Sequence, residues 1–170
     1  PMTELANVDT LIERLAQQLP PLIRQRRMER PVMIGIHTGG AWIAERLHEM
    51  LQIEEPLGTL DISFYRDDFS RIGMNPQVRP SRLPFDVEDR HVILIDDVIY
   101  TGRTVRAALN EIFDWGRPAS VLLAVLVDRG GRELPIAPDA VGQKLELPPD
   151  QHVKLQGPNS LSIAIQQTLV

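Results

Sequence analysis

The run VILIDDVIYTGRT, Val92 to Thr104, joins an apolar strand, two acids and a glycine-centred turn without interruption. Val92, Ile93, Leu94 and Ile95 form a continuous apolar segment, the pattern of a strand covered on both faces. Asp96 and Asp97 follow where that strand leaves the sheet. Val98, Ile99 and Tyr100 lead into Thr101, Gly102, Arg103 and Thr104, which open a helical pattern. The spacing predicts a strand over 91–95, a loop over 96–103 and a helix after it. Val105, Ala108, Leu109, Ile112 and Phe113 share one face of that helix, and Gly116 suits its C-terminal end.

Each part of the run has a chemical use. Gly102 lets the backbone turn tightly and approach a ligand. Backbone N–H groups and the hydroxyls of Thr101 and Thr104 can ring a phosphate at a helix N-terminus. Two carboxylates repel phosphate but suit the adjacent hydroxyls of a ribose. The combination describes a ribose-5-phosphate site. No GxxxxGK[ST] loop and no GxGxxG after a strand occurs, which excludes a P-loop and a dinucleotide fingerprint.

Working outward, the same strand–loop–helix order precedes the run. Val32 to Ile36 reads as a buried strand, His37-Thr38-Gly39-Gly40 as a tight loop, and a helix follows to about Leu51 with Ile43, Leu47, Met50 and Leu51 on one face. Leu60 to Tyr65 reads as the next strand and Ser120 to Val127 as another. A first helix should start near Asp9–Thr10, where Thr10 and Glu13 have capping-box spacing. Leu11, Ile12, Leu15 and Leu19 give its apolar stripe, and Pro20–Pro21 should end or kink it. Residues 66–84 lack periodicity, carry Pro76, Pro80 and Pro84, and read as an active-site lid. From Gly142 onward short apolar runs suggest strands beside the main sheet. Alternating strands and helices predict an α/β fold, a parallel central sheet flanked by helices, with ligands at the carboxyl ends of its strands.

The totals suit one domain: 170 residues, 43% hydrophobic and 24% charged. The absence of cysteine excludes disulfides, thiolate metal sites and a cysteine nucleophile. No apolar run reaches the roughly 18 residues of a spanning helix. The N-terminus also lacks a signal-peptide layout, so no membrane association and a cytoplasmic location are expected. A net charge of −5 counts weakly against a dedicated nucleic-acid binder. The basic run Arg24, Arg26, Arg27 and Arg30 reads as a solvated helix end. His48 and His91 read as structural, and Trp42 and Trp115 as core or subunit contacts. No His, Asp and Glu grouping has the spacing of a protein-built metal cage.

Val92–Thr104 resembles the PRPP-binding motif of type I phosphoribosyltransferases. Together with LDISFYRDD (Leu60–Asp68), TGRTVRAA (Thr101–Ala108) and LAVLVDRGGRELPI (Leu123–Ile136), it is most similar to the PyrR family of pyrimidine operon attenuators, which are also uracil phosphoribosyltransferases. The likeness runs from about Leu5 to Gln143. It implies a small hood over 128–170 beside the sheet and a lid over 66–84. It implies that Asp96 and Asp97 hold the ribose hydroxyls, and that the run through Tyr100–Thr104 holds the 5′-phosphate. His37, Thr38, Gly39 and Gly40 would hold pyrophosphate. Arg66 would act from the lid, and Val127, Asp128 and Arg129 would lie near the base. Implied partners are PRPP with Mg²⁺, uracil, UMP or UTP, pyr leader mRNA through a face including Arg14 and Arg132, and further copies of the chain in a homodimer or larger assembly.

Three departures from the family pattern carry information. Purine-using relatives place an acid where Tyr100 stands, so Tyr100 favours a pyrimidine. Family members carry Lys-Thr-Arg-Gly where this chain has His37-Thr38-Gly39-Gly40. One cation is gone and the other is a histidine, less charged than lysine at neutral pH, which predicts weaker contacts to pyrophosphate. Arg66, Arg71, Arg79 and Arg82 are candidates to compensate. Finally, Glu13, Gln17, Gly131, Ala137 and Gln143 stand where relatives have Thr, His, His, Arg and Lys. Each lost cation removes a phosphate contact, which counts against RNA attenuation by this chain.

Overall fold

The computed structural model describes residues 4–62 and 81–168. In chain order the elements are α1 (Val8–Gln25), β1 (Val32–Ile36), α2 (Gly39–Met50), β2 (Gly58–Leu60), β3 (His91–Ile99), α3 (Arg103–Trp115), β4 (Ser120–Asp128), β5 (Ala140–Lys144), β6 (Gln151–Gln156) and β7 (Ser162–Gln167). The first five strands form one sheet in the order β2-β1-β3-β4-β5, parallel throughout. This is the expected α/β architecture.

Side chains of successive strand residues point to opposite faces, and the sheet sorts its apolar residues accordingly. Met33, Ile93, Ile95, Leu122 and Ala124 pack with Leu11, Leu15, Ile43 and Leu47 of α1 and α2. Ile34, Val92, Leu94, Leu123 and Val125 pack with Val105, Ala108 and Ile112 of α3. Leu11, Leu15, Leu19, Ile93 and Leu94 are wholly removed from solvent, each contributing about 1.5–3 kcal/mol by transfer from water. This covering of both faces explains the unbroken apolar strands.

Several expectations need correction. The cap of α1 is Asn7, not Thr10: the Asn7 side chain accepts the Thr10 N–H at 2.8 Å. Pro20 and Pro21 lie inside α1 without ending it. Buried Leu15 and Leu19 before them and Met28 after them hold the helix on the core, which outweighs the missing N–H donors. The strand expected over Leu60–Tyr65 is instead Gly58–Leu60: it starts earlier and ends at Leu60, Asp61 and Ile62 follow it outside the strand, and residues 63–65 lie outside the described residues. Met50 and Phe113 are exposed at 50% and 57%, so neither belongs to its helix's buried stripe. Gly116 closes α3 with φ 164°, extended backbone that needs no glycine.

Two corrections bear on function. The strand expected to stop at Ile95 runs on through Asp96 and Asp97 to Ile99. Parallel pairing with β4 continues at Asp96↔Val125, Val98↔Val127 and Ile99↔Asp128, and ladder pairing prevails over the polarity of the acids. The expected lid is also shorter at its far end. Thr59 and Arg82 exchange two backbone hydrogen bonds of 2.8 Å, and Leu83 is buried, so residues 81–84 are tied to the sheet edge. The rest of that segment, 66–80, lies outside the described residues.

The tail strands divide. β5 joins the main sheet beside β4, and β6 pairs with β7 as a separate antiparallel hairpin. The hairpin's Val153, Leu155 and Ile163 pack on the α1–α2 side of the core. Among the described residues, no helix is long and apolar enough to cross a membrane.

Candidate active site

Because β1, β3 and β4 run parallel, their carboxyl ends share one edge. The loops after them, 37–38, 100–102 and 129–139, therefore meet there. Glycines set how closely. A β-carbon on Gly35 would lie 2.7 Å from the Ala41 Cα, and one on Gly40 would lie 2.6 Å from the Ile95 carbonyl oxygen. Without side chains at these positions the start of α2 presses directly onto β1 and β3. That contact brings the expected pyrophosphate loop against the acid pair: a β-carbon on Gly39 would overlap the Asp97 carboxylate.

Both acids are anchored to the backbone. Asp96 is 4% exposed, and its Oδ1 accepts the Asp97 N–H at 2.9 Å. Asp97 is half-buried, and its Oδ1 accepts the Val98 N–H at 2.8 Å. A cavity of about 140 Å³ opens beside Asp96, lined also by Val98, Tyr100, Thr101, Gly102 and Thr104. Gly102 adopts φ +94° at the start of α3, a left-handed turn that glycine makes without a Cβ penalty.

The loop over 100–102 is held from behind. The Tyr100 carbonyl accepts a hydrogen bond from Arg132 Nη1 at 2.8 Å. The Thr101 carbonyl accepts the N–H groups of Glu133 and Leu134 at 2.9 and 3.1 Å. In a trans peptide the N–H points opposite to the C=O. The N–H groups of Thr101 and Gly102 are thus turned away from the 132–134 segment. Arg103 pairs with Glu133 at 2.9 Å on the exposed side. An N-terminal helix turn with outward N–H groups and two threonine hydroxyls has the chemistry to hold a phosphate.

The segment after β4 forms a second layer. Asp128 accepts the Gly130 N–H on Oδ1 at 3.0 Å and pairs with Arg132 Nη2 through Oδ2 at 2.8 Å. Arg129 is 5% exposed, and its guanidinium lies 3.9 Å from the centre of the Tyr100 ring. It donates to the carbonyls of Gln151, Leu147 and Pro148 at 2.6, 3.4 and 3.3 Å. Gly131, at φ +78°, is so close to Tyr100 that an added β-carbon would lie 2.2 Å from its ring. The sequence pattern singled out Tyr100 for its place in the motif and not for these partners. The Gly130–Gly131 pair, separated from the end of β4 by Arg129 alone, is the signal in the sequence.

Val127 is buried at the end of β4. His37 donates its N–H to the Leu60 carbonyl at 2.9 Å, and Thr38 is the exposed residue before α2. Arg66, Arg71 and Arg79 lie outside the described residues. Arg14 donates to the Gly142 carbonyl at 3.2 Å, so it and Arg132 both carry intramolecular bonds. His48 and His91 bond the Glu55 carbonyl and the Ser120 hydroxyl at 2.6 and 2.7 Å. Among the described residues no group of His, Asp and Glu could hold a metal ion alone. A larger cavity of about 380 Å³, lined by Pro20, Ile23, Arg24, Arg30, Leu51 and Ile53, lies at the opposite edge, where β1 begins, remote from this chemistry.

The geometry agrees with known proteins. Residues 3–161 match the phosphoribosyl transferase domain family. The bifunctional protein PyrR of Nitrosococcus oceani is 60% identical over 162 residues, covering 94% of this chain and 92% of that protein. PyrR of Pseudomonas paraeruginosa is 57% identical, covering 94% of each. Among solved structures, a purine phosphoribosyltransferase from Pyrococcus horikoshii has a TM-score of 0.60 at 29% identity, covering 82% of this chain and 84% of that one. A Staphylococcus aureus hypoxanthine phosphoribosyltransferase, at 21% identity, shares the fold with a TM-score of 0.63 and covers 89% of this chain and 81% of its own. These matches extend past Gln143, further than the motifs alone reach. The chain belongs to the phosphoribosyltransferase domain family and, within it, to the PyrR proteins.

Proposed function

We propose that the protein transfers the ribose 5-phosphate of PRPP to uracil, giving UMP and diphosphate, and that UMP or UTP also acts on it as a regulatory ligand. The observation that carries this reading is the cradle at Thr101–Thr104, backed by bonds from residues 132–134, with Asp96 opening into the same cavity. In this reading the 5′-phosphate sits at Thr101–Thr104 and the ribose hydroxyls face Asp96 and Asp97. Pyrophosphate leaves along His37–Gly40, and the base lies near Val127, Asp128 and Arg129. Arg66 approaches from the lid.

The chemistry asks little covalent work of the protein. Uracil N1 forms its bond to C1′ as the C1′–oxygen bond to pyrophosphate breaks, and the N1 proton leaves. The ribose gains positive character on the way. The protein aligns the two reactants and sets carboxylates near the developing positive charge. Oxygen-only donors beside the pyrophosphate loop suit a hard cation, and Mg²⁺ brought in on PRPP would neutralise the departing diphosphate. We place the protein in the cytoplasm, as a homodimer or larger assembly.

Labelled uracil, PRPP and Mg²⁺ should yield UMP, with hypoxanthine and orotate inert and Asp97→Asn abolishing product. A second reading, a nucleotide sensor with little transfer activity, draws on Gly39, which brings no cation to the pyrophosphate loop. No product from any base while UMP still binds would favour it.

A further inference from the structure

Arg129 is the most buried cation near the proposed site. At 5% exposure its guanidinium would ordinarily be matched by a carboxylate, since an isolated buried charge is costly. Among the described residues none pairs with it: the neighbouring Asp128 is taken by Arg132. Its terminal nitrogens reach only backbone carbonyls, those of Leu147, Pro148 and Gln151 before and at the start of β6. Its Nε is buried with no hydrogen-bond partner. Its flat face lies on Tyr100, the residue just before Thr101 of the phosphate cradle. The hairpin's carbonyls and the ring together fix this positive charge behind the loop.

We propose that Arg129 is a buried counter-charge for the nucleotide's 5′-phosphate, acting through Tyr100 and its electric field, with its side chain making no contact to the base. This rests on the ribose-phosphate site proposed above and changes the role expected for Arg129. Its guanidinium is committed to Tyr100 and the hairpin, so only its backbone remains to meet a base. A field from a buried charge is weakened little by water or salt, so it acts across the ring without touching the ligand.

The test compares UMP with uridine, which differ only by the phosphate, in calorimetric titrations of the wild type, Arg129→Gln and Arg129→Lys. Glutamine keeps a hydrogen-bond donor for the hairpin carbonyls and loses the charge; lysine keeps the charge. The expected result is a roughly tenfold loss of UMP affinity in Arg129→Gln, uridine affinity held within about twofold, and recovery of most of the loss in Arg129→Lys. Equal weakening of both ligands, or no change in either, overturns the proposal. A wild type that binds UMP no tighter than uridine overturns the phosphate site itself, and this proposal with it. If the variants do not fold, phosphorus NMR of UMP on the wild type decides. The bound phosphate should stay dianionic well below its ordinary titration near pH 6, and an unshifted titration overturns the counter-charge.

Discussion

Gly39 lies so close to Asp97 that a β-carbon added to it would stand 2.4 Å from Oδ2 and 2.9 Å from Cγ of the carboxylate. The glycine that stands where the family pattern carries a cation is also the residue that leaves Asp97 its place. Asp97 cannot yield freely, because its Oδ1 is tied to the Val98 N–H. Gly39→Ala should therefore displace the carboxylate and weaken UMP binding roughly tenfold, the scale of one charge-assisted hydrogen bond. In an Asp97→Ala background the same substitution should cost much less, since the overlapping carboxylate is gone and only the Cβ of residue 97, 3.1 Å from the added carbon, stays close. Calorimetric affinities for the four proteins of this cycle check it, and additive losses would refute coupling through Asp97.

What the sequence disclosed and what it hid follow a physical line. The apolar strands expected at Val32–Ile36 and Ser120–Val127 were legible because burial on both faces removes polar residues from the pattern; the second runs one residue further, to Asp128. The turn that opens α3 was legible because its glycine and threonines stand together in Thr101–Thr104. The extension of β3 through Asp96 and Asp97 was not, since two acids read locally as a strand's end and only pairing with β4 holds them in the ladder. The Arg129–Tyr100–Gly131 stack was hidden for a related reason. It joins residues about thirty positions apart, and its central fact is a side chain that Gly131 does not have.

That missing side chain makes the second prediction. Gly131 has φ +78°, and an added β-carbon would meet Tyr100 Cε1 at 2.2 Å. Gly131→Ala should suffer from both, with backbone strain of about 1 kcal/mol and displacement of the ring from under Arg129. A fall in melting temperature of about 2–4 °C for each 1 kcal/mol is expected at this chain length, with a changed tyrosine signal in near-ultraviolet circular dichroism. An unchanged tyrosine signal would mean that the ring keeps its place by other contacts.

A third prediction concerns RNA. Arg132 divides its guanidinium between Asp128 Oδ2 and the Tyr100 carbonyl, each at 2.8 Å, and Arg14 reaches the Gly142 carbonyl. Phosphate contacts from these residues would have to break bonds that support the loop at Tyr100. With Glu13 and Gln17 exposed on the same helix as Arg14, a pyrimidine leader RNA should bind no tighter than an unrelated RNA of equal length. UMP should not strengthen it. Mobility-shift titrations across a salt series check this. Tight, UMP-enhanced binding that declines steeply with salt would instead show that these arginines let go of their partners.

Glu55 makes the fourth prediction, away from the site. Its Oε1 accepts from Arg30 at 3.0 Å and lies 3.3 Å from Arg90. The hydrogen bond from Arg30, followed by the charge of Arg90, holds its carboxyl below the usual range for glutamate. Both arginines join Pro31 and the start of β1 to the α2–β2 connection, since Arg90 also donates to the Arg30 carbonyl at 2.7 Å. A carboxylate whose folded pKa is depressed adds stability that is fully present above its unfolded pKa. That stability is lost as pH falls through the folded value. Glu55→Gln should therefore be less stable than the wild type at pH 7. The gap should begin to close below about pH 4.5, the ordinary value for glutamate, and should vanish at still lower pH where the wild-type carboxyl is protonated. Urea unfolding of both proteins from pH 7 down to the acid limit of folding measures the gap. A difference that stays constant with pH would assign the loss to packing and not to the charge on Glu55.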